Sequence, residues 1–313
     1  MNVPVLVLVA MLGLFAETPV LAAGEPPFTI VENGKTFWRL DDAVVSIEDR
    51  TATIRIAPGV YKDCAHQHDG LITYVAAEAG TAIFDGGICD DKATLVLGGR
   101  GSIIDGLVFR NMRNDDNNGA GIRLESGPLE VKNTKFQDSQ EGILTADDPS
   151  SAITVDRSTF SGLGNCDDES GCAHGIYVGM YGSLTVTHSR FDRGTGGHYL
   201  KSRATRIMVS DSSFDDTKGT KTNYMIDLPA GAKGSVLRNT FVVGPNKDNH
   251  SAIIAVAAES RSHPSIGLVV ADNTASLAPG IAWSTTFVAD WSHEPLAIGT
   301  NALGKGIRPF EIR

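Results

Sequence analysis

The chain lacks the marks of several common function classes. Lys and Arg number 27 against 37 Asp and Glu, a net charge of −10, so the basic excess of a nucleic-acid binder is missing. Beyond residue 23 no apolar run approaches the ~17–25 residues that a membrane-spanning helix needs. Ser, His and Asp do not fall in a triad order, no His-Glu-x-x-His occurs, and the four-ligand spacing of a zinc site is absent. Gly299 to Gly306 approaches a phosphate-binding loop, but Gly306 stands where such a loop needs Ser or Thr, and no helix follows. No long helical pattern separates the strand-like segments, which argues against a βαβ fold.

What is present begins with Val3 to Ala16, an almost unbroken apolar run followed by Pro19 and Val20-Leu21-Ala22-Ala23. Small residues at that point suit a signal peptidase, so residues 1–23 read as a signal peptide and 24–313 as the mature domain, secreted or periplasmic. No Lys or Arg precedes the run, and a retained N-terminal anchor is the alternative. An oxidising compartment makes disulfides the default for Cys64, Cys89, Cys166 and Cys172. Cys166 and Cys172 would close a small loop and leave Cys64 with Cys89, although four cysteines allow three pairings. A metal site including His174 is the competing reading.

An internal repeat decides the fold class. A strand-like segment ends in a small polar residue, any residue, then Phe. Copies end at Phe109, Phe136, Phe160, Phe191, Phe214 and Phe241, spaced 27, 24, 31, 23 and 27 residues apart, with a degenerate copy at Val270 to Ala275. A second strand precedes each: Gly121 to Glu125, Gly142 to Ala146, Gly175 to Gly179, Tyr199 to Arg203, Met225 to Pro229 and Ile253 to Ala257. A single coil of this kind cannot bury its apolar face alone and must stack on its neighbours. Alternation sends Ile122, Ile143, Ile176, Leu200, Ile226 and Ile254 into one internal column and the Phe residues into another. Ser158, Ser189, Ser212, Asn239 and Asn273 form a third, able to hydrogen-bond from coil to coil. The expectation is an all-β, right-handed parallel β-helix; a β-propeller would need longer, four-stranded repeats.

Leu40, Ala43, Val44 and Ile47 have helical spacing and lead into Ala52 to Tyr61, an Ile-x-Ile-x-Pro-Gly-x-Tyr segment. Here the sequence resembles the pectate-lyase-like superfamily of right-handed β-helices, in which a capping helix often precedes such an entry strand. The resemblance covers most of the mature chain as architecture and points to no single enzyme family. It implies sugar chains bound along the outer face and cleaved by β-elimination with basic residues, sometimes with Ca²⁺.

Laid out as a grid, the outward positions of the second strand concentrate chemistry in the middle coils: Tyr177, Tyr199, Lys201, Arg203 and Asp227. His174 and His198 sit one residue before their strands, in a direction that alternation leaves open. Gly175 and Gly179 read as notches for a ligand. The longest insertions, Ser161 to Ala173, Asp215 to Asn223 and Val242 to Ser251, fall just before this strand and would wall a groove. The expected activity is a lyase on an acidic, uronate-containing polysaccharide. Arg203 would grip the carboxylate, Lys201 would act as base, and Tyr177, His198 or His174 would serve the leaving oxygen. Tyr199, Asp227, Tyr224 and Arg123 would contact substrate. Acidic runs at Asp147-Asp148, Asp167 to Glu169 and Asp215-Asp216 offer oxygen ligands for Ca²⁺ or are solvated turns. Glycoside hydrolysis, uronate epimerisation and non-catalytic glycan binding are the other readings, on a chain expected to be monomeric, without nucleic acid or membrane insertion.

Overall fold

The structure, a computed structural model, describes residues 24–166 and 171–313. The expected leader at 1–23 and the acidic run at 167–169 lie outside these residues. The chain winds as a right-handed parallel β-helix with three sheets, one of 12 strands and two of 10. Each coil therefore has three strands. The repeated segment ending in Phe, read from sequence as one strand, is two, because the chain turns just before the small polar residue. Asn133, Arg157, His188, Asp211, Arg238 and Asp272 hold φ between 45° and 59° there. That conformation costs a non-glycine residue roughly 1–2 kcal/mol, and hydrogen bonds at the next position offset it.

Those bonds form the expected polar column. The N–H of Thr134 donates to Ser158 Oγ, Ser158 to Ser189, Ser189 to Ser212, Ser212 to Asn239, Asn239 to Asn273, and Asn273 to Asn301, at 2.9–3.3 Å. The column is buried from Thr134 to Asn273. Beside it the Phe rings from Phe84 to Phe241 stack face to face, with centroids 4.6–5.6 Å apart. Ile122, Ile143, Ile176, Leu200, Ile226 and Ile254 are fully buried and in register along the third sheet. A one-residue slip would turn every such side chain outward, so this register is strongly fixed.

At the N-terminal end the short helix Leu40–Val45 turns Leu40, Ala43 and Val44 inward, and Ile47 is buried just after it. This is the expected cap. Among the described residues no helix is long and apolar enough to cross a membrane.

Both expected disulfides are formed, Cys64–Cys89 and Cys166–Cys172. The first joins adjacent coils across 25 residues of sequence. Replacing both its cysteines by Ser should lower the unfolding free energy by roughly 3 kcal/mol, as loop-closure entropy predicts for a loop of this size. Denaturant titration of the variant against the parent reads this directly, and equal midpoints would refute it.

Candidate active site

The third sheet carries the outward column expected from the repeat. Pairing places Arg123 beside Leu144, Leu144 beside Tyr177, Tyr177 beside Lys201, and Lys201 beside Asp227. The insertions Asp215 to Asn223 and Val242 to Ser251 lie beside one another, the Thr222 backbone bridging to Gly197 on one side and Lys247 on the other.

At the centre two cations share one carboxylate. Lys201 Nζ lies 2.7 Å from Glu259 Oε1, and Arg203 Nη2 donates to Glu259 Oε2 at 2.6 Å. Arg203 Nε–H also donates to the Tyr177 hydroxyl at 3.2 Å. Lys201 Nζ and the Arg203 guanidinium both stand over the Tyr177 ring, 5.4 and 5.8 Å from its centroid. The Arg203 carbonyl accepts a hydrogen bond from His263 Nε2 at 3.0 Å, which ties the loop carrying Glu259 to the same strand. Lys201 is not the exposed lysine that the grid suggests; its side chain is only 11% exposed.

Below the cations runs a second column, Glu141, His174, His198 and Tyr224, each two residues before the buried Ile143, Ile176, Leu200 and Ile226. Both histidines face this groove, which settles the direction that alternation left open. The His198 N–H donates to His174 Nδ1 at 3.0 Å, and the Tyr224 N–H donates to His198 Nδ1 at 3.1 Å. An accepting Nδ1 leaves the ring proton on Nε2, and that of His198 faces Asp227 Oδ2 at 3.4 Å. Burial, then the nearby Lys201 and Lys247 charges, push His198 down to about 3. Burial and the neighbouring His198 hold His174 well below the usual histidine range. Both rings are neutral at pH 7, and their hydrogen bonds make them positioning groups. The Tyr224 ring stacks on His198 at 5.4 Å.

Asp227 is 2% exposed, and its Oδ1 has no hydrogen-bond partner. Burial raises it to about 7 against the pull of Lys201, 3.9 Å away. Its unfolded value is 3.8. Between those values the folded chain keeps a proton that the unfolded chain loses, so this group's contribution to stability fades as pH rises through 7. The histidines act in the opposite sense, their contribution falling as pH drops below 6.5. Comparing Asp227→Asn with the parent isolates the carboxyl. Between pH 4 and pH 8 the stability difference should move in the variant's favour by on the order of 4 kcal/mol. Denaturant melts at the two pH values measure it, and a constant difference would mean that Asp227 is not desolvated.

Two expectations are corrected. Tyr199 does not face the groove: it precedes its strand at the bend, is 4% exposed, and its hydroxyl donates to Asp216 at 2.7 Å. Asp216 in turn faces Lys247 at 3.6 Å in a buried pair. Gly175 and Gly179 are not ligand notches. A Cβ at Gly175 would lie 2.5 Å from the Tyr199 carbonyl, and one at Gly179 would collide with Asp147 and Ala146. They allow neighbouring coils to approach. The acidic runs do not converge: Asp148 accepts from Gly127, Ser150 and Ser151, and Asp215 from Thr217. Among the described residues no group of three or more His, Cys, Asp or Glu is placed to hold a metal ion.

Arg123 pairs with Glu125 on its own strand at 3.4 Å, three coils below Arg203. Between the two arginines lies a cleft of about 800 Å³ lined by Glu141, Leu144, Tyr177 and the loops at Asp115–Asn118 and Gly171–Ala173. Two further residues belong to the site. Glu141 stands one coil below His174 at the equivalent position, where the repeat register places it. Glu259 sits in a loop without repeat signal.

Residues 94–274, more than half of the chain, match the family model described as the right handed beta helix region. The chain belongs to that family. No curated protein matches it in sequence. Among solved structures, ORF18 of Geobacillus virus E2 is 10% identical with a TM-score of 0.47, over 87% of this chain and 57% of that one. A pectin methylesterase from Aspergillus niger is 13% identical with a TM-score of 0.39, over 83% and 88% of the two chains. The PL6 family alginate lyase AlyGC is 12% identical with a TM-score of 0.39, over 87% and 38%. The chain thus spans 57% of the viral protein's length. At such identities the likeness is one of fold.

Proposed function

We propose that this groove cleaves a uronate-containing polysaccharide by β-elimination. The observation that carries the reading is the Glu259 carboxylate held at once by Lys201 and Arg203. A substrate carboxylate entering there meets two fixed cations over an aromatic ring, in a site already partly cleared of water. The Arg203 cation stabilises the charge that develops when the proton beside a uronate carboxylate is removed, once Lys201 has given up its own proton.

In this reading Arg203 holds the sugar carboxylate and Lys201 takes the proton from the adjoining carbon. Asp227, buried beside the amine and raised to about 7, is a carboxyl able to accept the lysine's resting proton. The electron pair left on carbon forms the double bond as the glycosidic oxygen departs. Tyr177, hydrogen-bonded to Arg203, gives that oxygen its proton. His198 and His174 keep Asp227 and the strand ends in place. Hydrolysis fits less well: Asp227 and Glu259 share the Lys201 amine, at 3.9 and 2.7 Å, and so meet the about 5–10 Å spacing of a hydrolase pair, but Glu259 is committed to both Lys201 and Arg203, which hold its carboxyl below the usual range and unsuited to an acid's role.

The test is incubation with alginate, galacturonan and glucuronate-containing glycans while following the ultraviolet absorbance of unsaturated products. Absorbance on at least one substrate is expected. New reducing ends without absorbance would replace the lyase by a hydrolase, and intact polymer throughout would leave a binding protein. The two disulfides accord with an exported protein, and we place its action outside the cytoplasm.

A further inference from the structure

The cleft between Arg123 and Arg203 holds two polar atoms that the fold leaves unmatched. Glu141 is 2% exposed; its Oε1 accepts the His174 N–H at 3.3 Å, but Oε2 has no partner. Arg123 Nε is buried and makes no hydrogen bond either, Glu125 Oε1 lying 3.4 Å away in poor alignment. Buried polar atoms are nearly always paired, so two orphans on residues that line one cleft point to a ligand that would complete them. Burial keeps the Glu141 carboxyl protonated well above the usual range, so both orphans present hydrogen-bond donors. The rim is of opposite character. Asp115, Asp116 and Asp147 line it and offer only acceptors.

Donors below and carboxylates above suit a group that accepts on one side and donates on the other, as a sugar ring does through its ring oxygen and hydroxyls. The charge balance narrows the class. Two guanidiniums line the cleft, Arg123 paired with Glu125 and Arg203 paired with Glu259, and the three rim carboxylates beyond those pairs would repel a second anion. We propose that this cleft is a separate glycan subsite that takes an uncharged sugar ring, so the polymer carries neutral units beside the uronate read by Lys201 and Arg203. The inference extends the lyase reading but rests on its own residues.

Saturation-transfer NMR on the full chain with glucose, galactose, mannose and N-acetylglucosamine tests it. At least one of these sugars should bind, free glucuronate should not displace it, and Arg123→Met should weaken it at least about tenfold. Replacing Asp115 and Asp116, both exposed, by Asn should keep the neutral sugar bound and let glucuronate compete for the cleft. The proposal is overturned if none of the four sugars binds, if glucuronate displaces the bound sugar from the parent, or if a folded Arg123→Met binds like the parent. Should Arg123→Met fail to fold, the rim variant decides: glucuronate competition upholds the subsite and its absence overturns it. Lack of β-elimination in any assay would sink the proposed reaction and leave this result standing.

Discussion

Lys201→Ala should reduce turnover of a uronate polymer by about 10²–10⁴-fold, the range expected when a general base is removed. Its effect on stability will be larger than for a surface lysine, because the side chain is 11% exposed and faces two carboxylates. Lys201 is the main influence opposing the burial of Asp227, so its loss should raise Asp227 further. The pH profile of the residual activity reports that rise, and a merely structural lysine would not produce it. Arg203→Lys keeps the charge but gives up the fork that reaches Glu259 and Tyr177 together, so affinity and rate should both fall. A Lys201→Ala enzyme that kept most of its activity would pass the role of base to Asp227 itself.

The largest expected loss of stability belongs to the aromatic column. Phe191 is fully buried between Phe160 and Phe214, with centroids 4.9 and 4.6 Å away and rings within 8° of parallel. Phe191→Ala should cost about 3–5 kcal/mol. In a solenoid each coil is stabilised by its neighbours, so the gap separates the stack below from the stack above. The denaturation curve should therefore broaden as well as shift, while Phe191→Leu, which keeps most of the volume, should lose much less. A loss under about 1 kcal/mol would show that neighbouring coils close over the gap.

The contrast between these two sites explains how much the sequence could tell. The stacked columns repeat, and a position seen six times is legible because each copy confirms the register of the others. The register then carried Arg123, Tyr177, Lys201 and Asp227 onto one face correctly, since they lie within paired strands. Tyr199 failed because it precedes its strand, where the bend breaks alternation and turns the ring inward to Asp216. The one-strand reading of each Phe segment failed similarly, since Arg157, His188 and Arg238 give no glycine-like signal for a left-handed turn. Glu259 could not be read at all. Its meaning depends on Lys201 and Arg203, 58 and 56 residues earlier, and only the winding of the chain brings them together.

The polar column has a direction. The backbone N–H of each column member, Thr134, Ser158, Ser189, Ser212, Asn239 and Asn273, is completed by a side chain from the following coil, toward the C-terminus. A coil that has wound without its successor leaves that donor open, at a cost of about 1–3 kcal/mol once buried. The two ends of a growing stack are therefore unequal. A stack wound from the N-terminus carries one open donor at its leading coil until the next turn fills it, whereas a stack wound from the C-terminus finds the acceptor for each new donor already in place. The Cys64–Cys89 staple fastens the first coils, where winding from the N-terminus would begin.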